Sequence, residues 1–188
     1  GNYSSWYIDS PVDTTSKYET YTAIEVPEFI DKNYRTIKDR KGRAISGGSM
    51  GGYGALYLAI KHQELFGAVG SMSGAVDIRE ISDDFDIIKR FGEFDKYSDF
   101  RERSAIINML PLIEKDKMAI TFDCGTEDSL IQMNRDLNAA MLSLKIPHEY
   151  IERPGGHNID YWDYAFKTQM VYFQNYFIKK GTLKIEWH

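Results

Sequence analysis

The sequence predicts an α/β fold: a mostly parallel sheet with helices on both faces, in one domain spanning residues 1–188. Two observations carry this. Short apolar runs bounded by turn residues alternate along the chain with helical stripes. The length of 188 residues, with 43% hydrophobic and 14% aromatic content, suffices for one well-buried core and is short for two.

Residues 1–16, rich in Ser, Thr, Asp and aromatics and containing Pro11, read as irregular. Tyr18, Tyr21, Ile24, Phe29 and Ile30 recur at near-helical spacing, and Pro27 among them predicts a kink or a restart. The turn at Lys38–Gly42 closes that segment. An extended run over Arg43–Ser46 leads through a glycine-dense turn into a helical run, Tyr53–His62. Phe66–Met72 and Lys117–Asp123 read as a second and a third buried strand. Leu130, Met133, Leu137, Ala140, Met141 and Leu144 form one helical stripe that stops before Pro147. His148–Glu152 is the fourth strand, and Trp162, Phe166, Met170, Phe173 and Phe177 mark a closing amphipathic helix. Residues 75–103 resemble an insertion, since 15 of 29 positions are charged. They are read as a solvated surface segment, or as a cap whose Phe85, Phe91, Phe94 and Tyr97 supply an apolar side, because α/β folds place such segments where ligands bind.

A net charge of −5, with Lys and Arg scattered singly among acids, provides no basic face for a phosphate backbone, so nucleic acid is not an expected partner. No apolar run approaches the ~18 residues of a membrane span, so a soluble protein is expected. The single cysteine, Cys124, cannot pair internally and leaves the compartment open. At the end of an apolar strand it reads as a small buried hydrophobe rather than a nucleophile.

The strongest chemical signal is Gly47-Gly48-Ser49-Met50-Gly51-Gly52, a Gly-x-Ser-x-Gly pattern between a strand and a helix. A serine there sits on a sharp, strained turn, and the residues two before and two after must be small so that strand and helix can approach. Gly47 and Gly51 meet that need, and Gly54, Ala55 and Ala59 continue the small face. The competing readings are a structural glycine turn or a phosphate cradle, but the Gly-Lys-Ser/Thr of a P-loop is absent. A serine hydroxyl needs a histidine base, and the histidine an acid that holds its tautomer. Behind an elbow of this kind the order is Ser, acid, His.

Asp123-Cys124-Gly125-Thr126-Glu127-Asp128 follows the third strand. Position favours Asp128, which reaches farther from the loop, over Asp123 and Glu127, with helix capping as its structural alternative. Of four histidines, His62 ends a helix, His148 begins a strand and His188 is terminal. His157 alone lies in a glycine-flanked loop, Pro154-Gly155-Gly156-His157, after the fourth strand. No metal-binding pattern is present in the sequence, and the chemistry asks for no cofactor. The Met50 N–H is one expected oxyanion donor; no second candidate lies upstream of Ser49.

Together with Ser5-Trp6-Tyr7-Ile8-Asp9-Ser10-Pro11 and Ser71-Met72-Ser73-Gly74, these segments resemble the esterase D branch of the α/β-hydrolases, which includes feruloyl, acetylxylan and tributyrin-type esterases and S-formylglutathione hydrolases. The resemblance implies an α/β-hydrolase fold with Ser49 as nucleophile, Asp128 as acid and His157 as base. It implies a carboxylic-ester hydrolase acting on short-acyl or feruloyl and acetyl esters, carbohydrate esters included. Trp6, Gly48, Tyr53 and Trp162 are expected at the substrate site. Relatives often carry an aromatic two residues after the histidine, where this chain has Ile159. They also have strands and an oxyanion loop ahead of this chain's first residue, which implies an N-terminally truncated fold. The elbow strand's open edge would then seek a partner segment, a second copy or an aggregate. The alternatives are an acyltransferase with the same triad and a noncatalytic carbohydrate-binding or interaction module of the same fold.

Overall fold

The computed structural model describes residues 4–184. Four parallel strands, β1 (Ala44–Gly48), β2 (Ala68–Met72), β3 (Ala119–Gly125) and β4 (Glu149–Arg153), form one sheet in the order β1-β2-β3-β4. Among the described residues seven α-helices precede, alternate with or follow them: α1 (Val26–Asn33), α2 (Met50–Lys61), α3 (Ile87–Phe91), α4 (Phe94–Ser104), α5 (Ile106–Met109), α6 (Ile131–Ser143) and α7 (Ile159–Lys179). Gly48, Met72, Asp123 and Ile151 stand in register as one row near the strand C-termini. β1 and β3 run further than their apolar residues indicate, because the terminal glycines continue the ladder into the functional loops.

The period-2 alternation of the strands sorts their side chains between two cores. Val69, Ile120 and Phe122 face the main core with α2 and α6, whereas Ala68 packs with Phe173 and Tyr176 of α7, and Met72 with its Tyr161 and Ala165. Gly70 lets α7 approach the sheet: a Cβ there would lie 2.1 Å from the Gln169 side-chain oxygen. α2 is apolar all round and is buried from Gly52 to Ile60, as such a helix must be.

The expected kink or restart at Pro27 is instead a change of helix type, and the chain stays helical through it. A π-helical turn, Thr20–Glu25, comes first, with Val26 N–H bonded to Tyr21 O, and Pro27 falls in the first turn of α1. There its missing N–H falls where the ladder passes from i−5 to i−4 spacing. Residues 75–103 are not a merely solvated stretch: Ile78, Ile87 and Phe91 are fully buried, and Arg90 and Arg101 lie inside with them. Arg90 Nε donates to Ser4 O and Ser10 Oγ to Arg90 O, which ties the segment to the irregular start of the chain. Phe85 and Phe94 are exposed. No helix among the described residues is long and apolar enough to cross a membrane.

Candidate functional site

Ser49 occupies the turn between β1 and α2 at φ 55° and ψ −121°, a conformation a side-chain-bearing residue adopts only under constraint. The constraint is visible. Ser49 N–H donates to Met72 O at 2.9 Å, while Ser49 O accepts from Gly52 N, Tyr53 N and Ala75 N. A Cβ on Gly47 would sit 2.4 Å from Gly51 O, so close approach of strand and helix demands glycine there. Met50 opens α2, and the amide of a first helical residue has no partner along the helix.

Asp128 lies in the loop after β3 and His157 in the loop between β4 and α7. The loops are clamped together: Thr126 N–H donates to Arg153 O and Glu127 N–H to Gly155 O. Gly125 permits the contact, since a Cβ on it would come 2.1 Å from Gly155 O. His157 Nε2 stands 2.8 Å from Ser49 Oγ, and Nδ1 stands 2.9 and 3.1 Å from the two Asp128 carboxylate oxygens. The Asp128 side chain is fully buried and also accepts from Leu130 N–H at 2.9 Å; the imidazole is 32% exposed. An ionised carboxylate only accepts, so Nδ1 carries the donated proton and Nε2 is left to accept from the serine hydroxyl.

The other candidates are placed elsewhere. Alternation along β3 turns Asp123 to the α7 face, where it accepts from Tyr161 OH and Gln169 Nε2. Glu127 is exposed and meets the site only through its backbone. His62 pairs with Glu19, and His148 with Asn138 and Ile146 O; His188 lies outside the described residues. Cys124 is buried with its thiol directed at Ser73 Oγ, and burial, reinforced by the Asp128 charge, pushes that thiol up to about 12. No group of His, Cys, Asp or Glu among the described residues is arranged to hold a metal ion.

Two of the four expected substrate contacts adjoin Ser49 and His157 and two do not. Trp162 meets the His157 ring edge to face, centroids 4.9 Å apart, and lies along Gly48, whose Cβ would be 3.5 Å from the indole. Trp6 and Tyr53 are core residues, 2% and 0% exposed, packed on each other and on Phe91. Their polar atoms are spent inside, Trp6 Nε1 on Phe85 O and Tyr53 OH on Ser104 O, so neither offers a substrate any surface. The uniformly apolar face pattern of α2 is the signal that places Tyr53 in the core. A cavity of about 990 Å³ between Lys117, Ile146, Tyr172 and Tyr176 opens at the start of β3, the end of the sheet away from Ser49.

The Esterase family model matches residues 1–173. The chain belongs to that esterase family. It is 28% identical over 175 residues to an acetyl esterase of Caldicellulosiruptor saccharolyticus, covering 85% of this chain and 64% of that one. An esterase of Mycobacterium tuberculosis is 25% identical over 194 residues, 84% of this chain and 40% of the relative. Among solved structures, a ferulic acid esterase superposes with a TM-score of 0.75 at 30% identity, over 91% of this chain and 64% of that protein. The chain therefore has the α/β-hydrolase fold and spans less than two thirds of the length of each of these relatives.

Proposed function

We propose that this chain carries the catalytic residues of a serine carboxylic-ester hydrolase. The observation that supports the reading best is the unbroken hydrogen-bond line Ser49–His157–Asp128 built on a strained elbow. Ser49 Oγ attacks the ester carbonyl as its proton passes to His157 Nε2. Asp128 holds the tautomer and stabilises the imidazolium. The Met50 N–H faces the developing oxyanion. Collapse of the tetrahedral intermediate breaks the bond to the alcohol, which leaves with the proton from His157. Water, deprotonated by the same imidazole, then releases the acid and restores the serine.

For the acyl group we propose short or feruloyl chains, on the likeness to an acetyl esterase and to a ferulic acid esterase. Trp162, beside both Gly48 and His157, is the apolar wall proposed to meet it. The test is the initial rate of hydrolysis of an aryl acetate and of methyl ferulate by the protein and by its Ser49→Ala variant. A rate lost in the variant supports the reading, and the ratio of the two substrates assigns the acyl class. Equal rates for protein and variant overturn it.

A further inference from the structure

The proposed mechanism uses Asp128 and leaves a second buried carboxylate, Asp123, unexplained. It is 1% exposed on the α7 face of β3. Its Oδ1 accepts from Tyr161 OH at 3.0 Å and lies 3.6 Å from Arg153 NH1; its Oδ2 accepts from Gln169 Nε2 at 2.9 Å, and Gln169 Oε1 in turn accepts from Ser46 Oγ. Burial raises this carboxyl above the ordinary range against the pull of Gln169, Arg153 and Tyr161, so its place in the core depends on keeping those donors. The Tyr161 phenol is itself raised, by burial first and then by the Asp123 charge, and remains a donor.

Tyr161 grips the histidine loop on both flanks of His157. Upstream, its ring lies under Gly155, which adopts φ +134° and whose Cβ would come 2.8 Å from Tyr161 Cδ2. Downstream, its N–H donates to Asn158 Oδ1, the cap that starts α7. Gly155 O in turn accepts from Glu127 N–H in the loop of Asp128. A shift of Tyr161 is thus transmitted to the distance between imidazole and carboxylate. We infer that Asp123 and Tyr161 form a positioning pair that fixes His157 between Ser49 and Asp128. This rests on the proposed triad, although the geometry it invokes can be observed without turnover.

The test compares Tyr161→Phe with Tyr172→Phe. Both remove one α7 hydroxyl hydrogen-bonded to β3, since Tyr172 OH donates to Ile120 O, but only Tyr161 touches the histidine loop. Tyr161→Phe keeps the ring but removes the hydrogen bond that fixes it under Gly155. In protein labelled with ¹⁵N-histidine, the Nδ1–H proton of His157, assigned by its loss in His157→Gln, should be sharp in the wild type and in Tyr172→Phe, and broadened or absent in Tyr161→Phe. On an aryl acetate, Tyr161→Phe should lower kcat about ten- to a hundredfold with KM unchanged, as loose placement of a catalytic group does, while Tyr172→Phe retains the wild-type kcat. An unchanged resonance and kcat in Tyr161→Phe overturn the inference, as do equal losses in both variants. If the wild type hydrolyses nothing, the resonance comparison still decides the pair, and the esterase reading alone fails.

Discussion

Replacing Asp128 with Asn should abolish most turnover without unfolding the protein, and the hydrogen bonds around that residue say why. The carboxylate accepts from Leu130 N–H through Oδ1 and from His157 Nδ1 through both oxygens. An amide has one oxygen and one NH2. If the oxygen serves Leu130, the NH2 faces Nδ1 and forces that nitrogen to accept, which moves the imidazole proton to Nε2. A protonated Nε2 donates to Ser49 Oγ and cannot take its proton. The flipped amide restores the tautomer but sets its NH2 against Leu130 N–H, leaving a buried donor unsatisfied at a cost of ~1–3 kcal/mol. The first arrangement therefore dominates. That preference accounts for about five- to 150-fold, and loss of the carboxylate charge that stabilises the imidazolium brings the expected loss to about ten-thousandfold in kcat, or ~5.4 kcal/mol of barrier, while the thermal midpoint stays near the wild type because volume and packing are kept. The assay is steady-state hydrolysis of an aryl acetate beside a thermal melt. A kcat within tenfold of the wild type would refute the tautomer argument.

Gly47→Ala should destabilise the elbow by at least ~1–3 kcal/mol, since the Cβ meets Gly51 backbone that cannot swing aside, and a urea melt reads this directly. Trp162→Ala removes an edge-to-face contact worth ~0.5–1.5 kcal/mol and should lower kcat about two- to twelvefold; an unchanged kcat would show that the indole does not restrain the imidazole. Glu19 is the subject of a pH prediction. Burial works against its charge, but hydrogen bonds from His62, Lys61 and Tyr57 prevail and bring it down to about 2, while His62 is raised, mainly by its hydrogen bond to Glu19. The Glu19 contribution is complete above its ordinary value of 4.5 and fades as pH falls toward 2; that of His62 is complete below 6.5 and fades as pH rises through its raised value. The difference in thermal midpoint between wild type and Glu19→Gln should therefore peak between pH 4.5 and 6.5 and shrink on either side. A difference that is flat with pH would contradict the pairing.

The four strands and the helices around Leu137 and Phe173 were legible because burial imposes a period on the residues that face the core. Ser49 was legible because the elbow needs glycine at fixed offsets from it, and His157 and Asp128 because they stand on loops after successive strands. What sequence leaves out is convergence in space. Loop position favours Asp128 over Asp123, and the alternation of β3, which turns Asp123 toward Tyr161, gives the spatial reason. Trp6 and Tyr53 were misplaced for a related reason: a polar-tipped aromatic near a motif reads as a ligand contact until its tip is seen bonded to a backbone carbonyl. The π-turn at Thr20–Glu25 has no compositional signature at all, and the charge count over residues 75–103 masked Ile78, Ile87 and Phe91, which reach the core.

The central claim is that Ser49 is an activated nucleophile, and covalent labelling tests it without any assumption about substrate. The protein is incubated with a serine-directed phosphonate ester and the adduct is located by peptide mass spectrometry, beside His157→Gln. A stoichiometric adduct on Ser49 that forms far more slowly in His157→Gln is the predicted result. No adduct on Ser49, or the same rate without the histidine, would contradict the account.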